Sequence, residues 1–147
     1  MDEKVEKLVY LAIEKEELAY NHYLKLLRAR VDFNLEKLFT KLAIQELKHV
    51  ALLRDFLKTK DFMKAREKIY NRAYDYSITE DLNINFEFLS LKKEILKAIE
   101  RENNSYKFYL DLFVQSNDEN LKNLFYFLSL EEMNHKHILK NEYDKLK

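Results

Sequence analysis

The chain of 147 residues contains neither glycine nor proline. Both residues interrupt helices, and glycine supplies the positive φ angles that tight β-hairpin turns need. A sequence without them therefore disfavours β-sheet and predicts long, uninterrupted helices. Hydrophobic residues make up 47% of the chain and charged residues 35%, so one helical domain of this length has enough apolar side chains to form a core.

The charge balance and the residue types exclude several classes of function. The 26 basic and 26 acidic residues are mixed along the chain, so no basic face predicts nucleic-acid binding. Cysteine is absent, which excludes disulfides, thiolate zinc sites and iron–sulfur clusters. No run of about 18 apolar residues predicts a membrane span, and the charged N-terminus does not resemble a secretory signal. We therefore expect a cytoplasmic protein that binds neither nucleic acid nor membrane.

The sequence contains an internal repeat. Residues 12–57 align without gaps with residues 98–143, and 17 of the 46 positions are identical. In both copies apolar residues recur at three- and four-residue steps, which indicates helices. Asp32 or Asn34 in the first copy, and the segment 117–120 in the second, provide helix N-caps. Helices are predicted near residues 3–30, 34–58, 89–115 and 119–145.

These helices predict an all-α four-helix bundle that forms a single domain, residues 1–147. Repeat 1 covers about residues 3–58 and repeat 2 about residues 89–145, each as a helical hairpin closed by a short loop. The crossover between the repeats, residues 59–88, is long enough to run the length of a bundle.

The crossover differs in composition from the repeats. Its six aromatic residues predict that it packs, either along the bundle or in a dimer interface. The alternative is a flexible linker. Within it, residues 61–73 predict a short helix capped by Asp61.

Four glutamates interrupt the apolar stripes of the predicted helices: Glu16, Glu46, Glu102 and Glu132. Their neighbours one turn away are mostly apolar or small, so the four carboxylates should point into the core. His49 and His135 lie three residues after Glu46 and Glu132, on the same helix faces. Four buried carboxylates are costly unless they are protonated, paired or bound to cations. Two divalent cations would match their charge.

The ligand types narrow the choice of metal. Carboxylates and imidazoles without thiolates favour iron or manganese over structural zinc. One glutamate from each of two helices, with a Glu-x-x-His from each of the other two, is the pattern of ferritin-like di-iron and di-manganese bundles. With these residues and the repeat, the whole chain resembles the rubrerythrin branch of the ferritin-like superfamily, without the rubredoxin domain that many members carry.

The resemblance implies a ferritin-like four-helix bundle made of two repeated helical hairpins, with a long crossover between helices 2 and 3. It also implies two bound iron ions, with manganese or a mixed pair as alternatives. Glu46 and Glu132 would bridge the two ions. The full set of implied ligands is Glu16, Glu46, His49, Glu102, Glu132 and His135.

Two tyrosines repeat at a fixed distance from the outer ligands. Tyr23 follows Glu16 and Tyr109 follows Glu102 by seven residues, two turns along the same face. Tyrosines occupy this position in families of this kind, so we expect both to lie behind the metal ligands. Core aromatics without a role at the metal are the alternative.

One residue departs from the family pattern. Rubrerythrins that reduce peroxide resemble each other in an extra carboxylate three residues after the third-helix glutamate, and this chain has Ser105 there. That carboxylate lets an iron exchange ligands between redox states, so its absence weakens the peroxidase interpretation. Because cysteine is absent, electrons would have to come from an external donor.

The remaining polar residues have simpler interpretations. His22 and His137 align with Phe108 and Ala51 and are expected to be surface or packing residues. Glu14 and Glu100 are expected to be solvated. Glu17 and Glu131 have two interpretations, residues behind the ligands or polar neighbours only, and their repeat partners Asn103 and Gln45 favour the second.

Three hypotheses follow. The first is a di-iron oxidoreductase that reacts with peroxide or oxygen, or oxidises ferrous iron, with an external electron donor. The second is a non-enzymatic metal-binding or iron-handling protein, and the third is a structural bundle without metal. For the assembly, a homodimer is one hypothesis. A storage cage is less favoured, because the sequence lacks a recognisable fifth-helix extension.

Overall fold

The computed structural model describes residues 3–28, 32–71 and 91–146, and everything said below about the structure refers to these residues. They are almost entirely helical, and no strand occurs among them. The five helices are α1 (Glu3–Leu27), α2 (Phe33–Thr59), α3 (Phe62–Tyr70), α4 (Leu91–Gln115) and α5 (Glu119–Lys145). None of these helices is long and apolar enough to cross a membrane.

Aspartate begins three of the helices. Asp32 accepts a hydrogen bond from the backbone N–H of Leu35 at 2.9 Å, which selects Asp32 over Asn34 as the cap of α2. Asp61 begins α3, as the sequence predicts, and Asp118 begins α5. These carboxylates satisfy N–H groups that have no partner within the helix.

Without glycine, α2 ends on a lysine. Lys60 has φ 55°, the left-handed conformation that usually falls to glycine. Its N–H donates to the carbonyl of Phe56 at 2.8 Å and closes the last turn of α2. This turn lets α3 begin at Phe62, within the predicted crossover.

The first compact unit consists of α1, α2 and α3. α1 packs against α2 as a helical hairpin, and α3 packs against α2. Lys68 on α3 donates to Asp55 on α2 at 2.9 Å, and the ammonium of Lys48 lies 5.7 Å from the ring centre of Tyr70. A helix, Phe62–Tyr70, therefore lies within the predicted range 61–73 and packs on α2, while residues 72 and 73 lie outside the described residues. The core residues of the first compact unit include Val9, Ala12, Leu26, Phe39, Leu42, Leu53, Phe56 and Ala65.

The second compact unit is the hairpin of α4 and α5. Tyr109 stacks on Phe125 with 6.4 Å between ring centres, and Phe113 contacts Tyr126 at 5.4 Å. Lys136 donates to the side chain of Asn103 at 3.0 Å. The core residues of the second compact unit include Ile95, Ala98, Leu112, Leu121, Leu124, Leu128 and Leu139.

The helix bounds agree closely with the predicted ones. α1 ends three residues earlier than predicted, α2 is one residue longer at each end, and α5 matches at both ends. The all-α prediction is confirmed. Most of the crossover, including the aromatic residues beyond Tyr70, lies outside the described residues. The assignment of residues 1–147 to one domain stays a prediction.

Candidate metal centre

The first hairpin brings together one predicted ligand from α1 and two from α2. Glu16 lies on the buried stripe of α1 between Ala12 and Ala19, and Glu46 and His49 share one face of α2. All three predicted ligands are at most 2% exposed. His49 Nδ1 lies 3.3 Å from Glu16 Oε2 and 3.7 Å from Glu46 Oε1. We call Glu16, Glu46 and His49 the first triad.

The second hairpin repeats this arrangement. Glu102 comes from α4, and Glu132 and His135 come from one face of α5, again at most 2% exposed. His135 Nδ1 lies 3.5 Å from Glu102 Oε1 and 3.8 Å from Glu132 Oε2. We call Glu102, Glu132 and His135 the second triad. The sequence repeat is therefore matched, residue by residue, by a repeat of geometry.

The distances within each triad fit a bound metal ion. With bonds of about 2.1 Å, two ligand atoms on one ion are about 3 Å apart when adjacent and about 4 Å apart when opposite. The four histidine–carboxylate distances, 3.3–3.8 Å, all fall in that interval. Within each triad the three ligand atoms lie within 4.8 Å of one another. The residues present therefore fit a metal ion in each triad.

A hydrogen-bonded polar core is the alternative interpretation of these contacts. The 3.3 Å contact of His49 with Glu16 is short enough for a hydrogen bond. The other three contacts, at 3.5–3.8 Å, are longer than a good hydrogen bond. Each triad also buries two carboxylates beside one imidazole, so when both carboxylates are ionised the three side chains together carry more negative than positive charge. A cation removes that deficit.

The two predicted tyrosines are buried beyond the triads. Tyr23 and Tyr109 are each 1% exposed. Seven residues of helix place their backbones about 10 Å along the axis from Glu16 and Glu102. Tyr109 stacks on Phe125, whereas Tyr23 makes an edge contact with His22 at 6.0 Å. Their role behind the metal ligands stays a prediction.

The other polar residues lie mostly where the sequence places them. Glu14, Glu100 and His137 are exposed, as expected, whereas Glu17, expected to be a polar neighbour of the ligands, is exposed and accepts a hydrogen bond from Arg54 at 2.9 Å. His22 is buried and packs, one of the two alternatives for it.

The sequence reasoning missed two buried carboxylates. Glu94 lies four residues before Ala98 and eight before Glu102, so the four-residue step along the core face of α4 was a signal for its burial. Lys97 donates to it at 3.4 Å. Asp55 gave no comparable local signal, because its partner Lys68 belongs to α3.

Comparison with known proteins agrees with the helical fold. A search of curated proteins found no match. Among solved structures, a hypothetical protein from Pyrococcus furiosus has a similar fold, with a TM-score of 0.69 and 26% sequence identity, covering 95% of this chain and 87% of that one. The family model described as Rubrerythrin matches residues 7–143. The chain, an all-α protein of the ferritin-like type with a buried glutamate and histidine cluster, thus belongs to the rubrerythrin family.

Proposed function

We propose that this chain is a di-iron oxidoreductase that reacts with hydrogen peroxide or oxygen, or oxidises ferrous iron. The observation that carries the proposal is the pair of matched triads, each with two carboxylates and one imidazole, at most 2% exposed, in a chain of the rubrerythrin family. Such burial is costly for carboxylates that hold no cation.

In this proposal the two triads together hold two ions. Four carboxylates balance the four positive charges of two ferrous ions, and each histidine adds a neutral ligand. As the family resemblance implies, Glu46 and Glu132 would hold both ions, while Glu16 and Glu102 would each hold one. Glu46 and Glu132 are at most 1% exposed, so each is buried within its own hairpin, as a carboxylate that holds a metal ion would be.

When bound, two ferrous ions would supply two electrons, one from each ion, which with two protons would reduce hydrogen peroxide to two molecules of water. The protein's own residues have three tasks. The carboxylates compensate the positive charge, which rises by two when both ions are oxidised. Leu42 and Leu128, which lie one turn before Glu46 and Glu132 and are fully buried, keep bulk water out. The Tyr23 and Tyr109 hydroxyls are proposed to hydrogen-bond behind the ligands.

An external electron donor is part of the proposal. The chain has no cysteine, so it holds no iron–sulfur or rubredoxin-type centre that could return electrons to the irons. For the assembly, the proposal includes a homodimer. For the cofactor, manganese or a mixed metal pair is the alternative to two irons.

Ser105 favours a second candidate, a non-enzymatic protein that binds or delivers iron. The serine stands where peroxide-reducing rubrerythrins carry an extra carboxylate. A chain that lacks this ligand for the redox exchange could bind the same ions without turnover.

Anaerobic loading with ferrous iron, followed by hydrogen peroxide, tests the proposal. We expect a fast absorbance rise from ferric iron that is lost in the Glu46→Ala and Glu132→Ala variants. Glu14→Ala and Glu100→Ala, at exposed positions of the same helical repeat, are matched controls that should keep it. No absorbance change in the unmodified protein would remove the redox function.

Steady-state turnover with a supplied electron donor separates the two candidates. The oxidoreductase consumes peroxide in many cycles. The iron-handling protein binds iron with the same residues and stops after at most one cycle.

A further inference from the structure

Aromatic side chains connect the core of the second hairpin with its surface. Tyr109 on α4 is 1% exposed and stacks on Phe125 of α5 with 6.4 Å between ring centres. Phe113 follows Tyr109 by four residues, so the two are neighbours on α4. Phe113 in turn contacts Tyr126 on α5 at 5.4 Å, and Tyr126 is 48% exposed. We call Tyr109, Phe113 and Tyr126 the aromatic path.

The inner end of the aromatic path lies behind the second triad. Tyr109 follows Glu102 by seven residues on the buried face of α4. Side chains on a helix lean toward its N-terminus, so the Tyr109 ring leans toward Glu102 across the two turns between them. At the other end, the Tyr126 ring contacts solvent. The aromatic path therefore leads from the second triad toward the surface.

The first hairpin keeps the inner tyrosine and lacks the outer part of the path. The inner tyrosine is present as Tyr23, also 1% exposed. The residues that match Phe113 and Tyr126 in the repeat are Leu27 and Thr40, neither of which is aromatic. Core packing accounts for a buried tyrosine in both hairpins. It does not account for a ring contact that ends on an exposed tyrosine in only one of them.

An exposed phenol can give up an electron, because its proton passes to water at the same time. Hydrogen peroxide needs two electrons and two protons to become two molecules of water. A single ferrous ion supplies only one electron, and one electron splits peroxide into hydroxide and a damaging hydroxyl radical. A tyrosine that supplies the second electron prevents this.

We propose that Tyr126 gives this second electron when the second triad holds a single ferrous ion, and that the electron moves inward along the aromatic path. The ion gives one electron and becomes ferric. The Tyr126 phenol gives the other electron, releases its proton to water and becomes a tyrosyl radical. With two protons from water, peroxide becomes two molecules of water. A one-electron reductant of the ascorbate or thiol class then returns an electron and a proton to Tyr126. This role rests on the proposed function and adds a redox-active residue at the surface.

Protein loaded with one ferrous ion per chain tests the role of Tyr126. After anaerobic mixing with one equivalent of hydrogen peroxide and freezing, electron paramagnetic resonance should show a tyrosyl radical. The signal should be lost in Tyr126→Phe, which removes only the hydroxyl. It should stay in Tyr10→Phe, which changes a 55% exposed tyrosine of the first hairpin. A signal that Tyr126→Phe leaves unchanged, or no signal in the unmodified protein, would overturn the proposal.

Ligand substitutions test which hairpin gives rise to the radical. Glu16→Ala weakens the first triad and should leave the signal in place, whereas Glu102→Ala weakens the second triad and should remove it. The opposite pattern would show that the radical does not arise from the second triad. A nitrone trap for protein radicals, located by peptide mass spectrometry, should label Tyr126. Labelling instead at Tyr106, half-buried and four residues after Glu102, would overturn the path.

Phe113→Leu tests the path without changing either of its tyrosines. The variant gives the second hairpin the residue that the first hairpin has at this position. We expect the Tyr126 radical to be lost and the hydroxyl radical caught by a spin trap to increase. The melting temperature of the metal-free protein checks that the fold is kept. An unchanged radical yield in Phe113→Leu would overturn the path.

The two proposals can fail separately. If peroxide oxidises the iron of fully loaded protein but protein with one iron forms no tyrosyl radical, the proposed function stands and the role of Tyr126 is wrong. If peroxide oxidises no iron at either loading, both are wrong.

Discussion

His49 Nδ1 lies 3.3 Å from a carboxylate oxygen of Glu16, although 33 residues separate the two along the chain. The contact joins α2 to α1 in the middle of the first hairpin. His135 and Glu102 make the corresponding contact between α5 and α4 at 3.5 Å. An ion bound by either pair would link the two helices of its hairpin, so metal binding and folding should be coupled.

Metal binding is therefore expected to raise the melting temperature. At a free ion concentration of 100 Kd, one ligand adds about 2.7 kcal/mol to the free energy of unfolding. For a chain of this size that corresponds to about 5–10 °C. Scanning calorimetry with ferrous iron and with a chelator measures the shift. A melting temperature that neither iron nor chelator changes would support the structural bundle without metal.

Glu46→Gln should have opposite effects on metal-free and metal-loaded protein. The amide keeps the shape of the side chain and removes one of two carboxylate charges near His49. Without metal we expect the free energy of unfolding to rise by about 1 kcal/mol, because a buried charge is costly. With iron, both affinity and stabilisation should fall. Urea unfolding measures the free energy of unfolding with and without iron, and so the direction of the change in each state.

The control for this prediction is Glu100→Gln, which changes the same residue type at an exposed position. This variant should change the free energy of unfolding by no more than about 0.5 kcal/mol, both with and without iron. If Glu46→Gln destabilises the metal-free protein, the first triad is a satisfied polar core and the electrostatic argument for an ion there is wrong.

Breaking the ion pair of Asp55 and Lys68 should loosen α3 without unfolding the hairpin. The Lys68 side chain is 47% exposed, so solvent screening limits the contribution of the pair to about 1 kcal/mol. Lys68→Met should therefore speed amide exchange in α3 by about fivefold. Lys7→Met, at an exposed pair with Glu3, should change nothing. Unchanged exchange in α3 would show that apolar packing alone holds this helix.

Tyr109→Phe tests the proposed role of the tyrosine hydroxyl. The ring still stacks on Phe125, so we expect the metal content to stay unchanged and the free energy of unfolding to fall by about 1 kcal/mol at most. The rate of reaction with peroxide should fall. Tyr10→Phe is the control, because that tyrosine is largely exposed. Stopped-flow absorbance measures the rate of reaction with peroxide in both variants. Equal rates in wild type and Tyr109→Phe would make Tyr109 a core aromatic only.

The sequence predicts the helices and the grouping of the ligands well, because both depend on local periodicity. Glu16 and Glu46 interrupt apolar stripes at defined steps, and the structure buries both. Asp61 was recognisable as a helix cap from its type and place. The repeat adds a second, matched instance of each feature, which a single hairpin could not supply.

Features that depend on distant contacts could not be predicted in the same way. Asp55 is buried because α3 folds back onto α2, and nothing near Asp55 in sequence announces Lys68. The resemblance to peroxide-reducing rubrerythrins implies that Ser105 replaces a carboxylate, but not that Ser105 is half-buried where the matching Ala19 is buried. That difference from Ala19 appears only when the exposure of the two hairpins is compared.

The metal content of the protein tests the central claim most directly. The chain should be freed of metal, loaded anaerobically with ferrous iron, desalted and analysed by elemental mass spectrometry. Two irons per chain are predicted, falling to one or fewer in Glu46→Ala and Glu132→Ala and staying at two in Glu100→Ala. A chain that retains no iron, or iron content that the triad substitutions leave unchanged, would contradict the account.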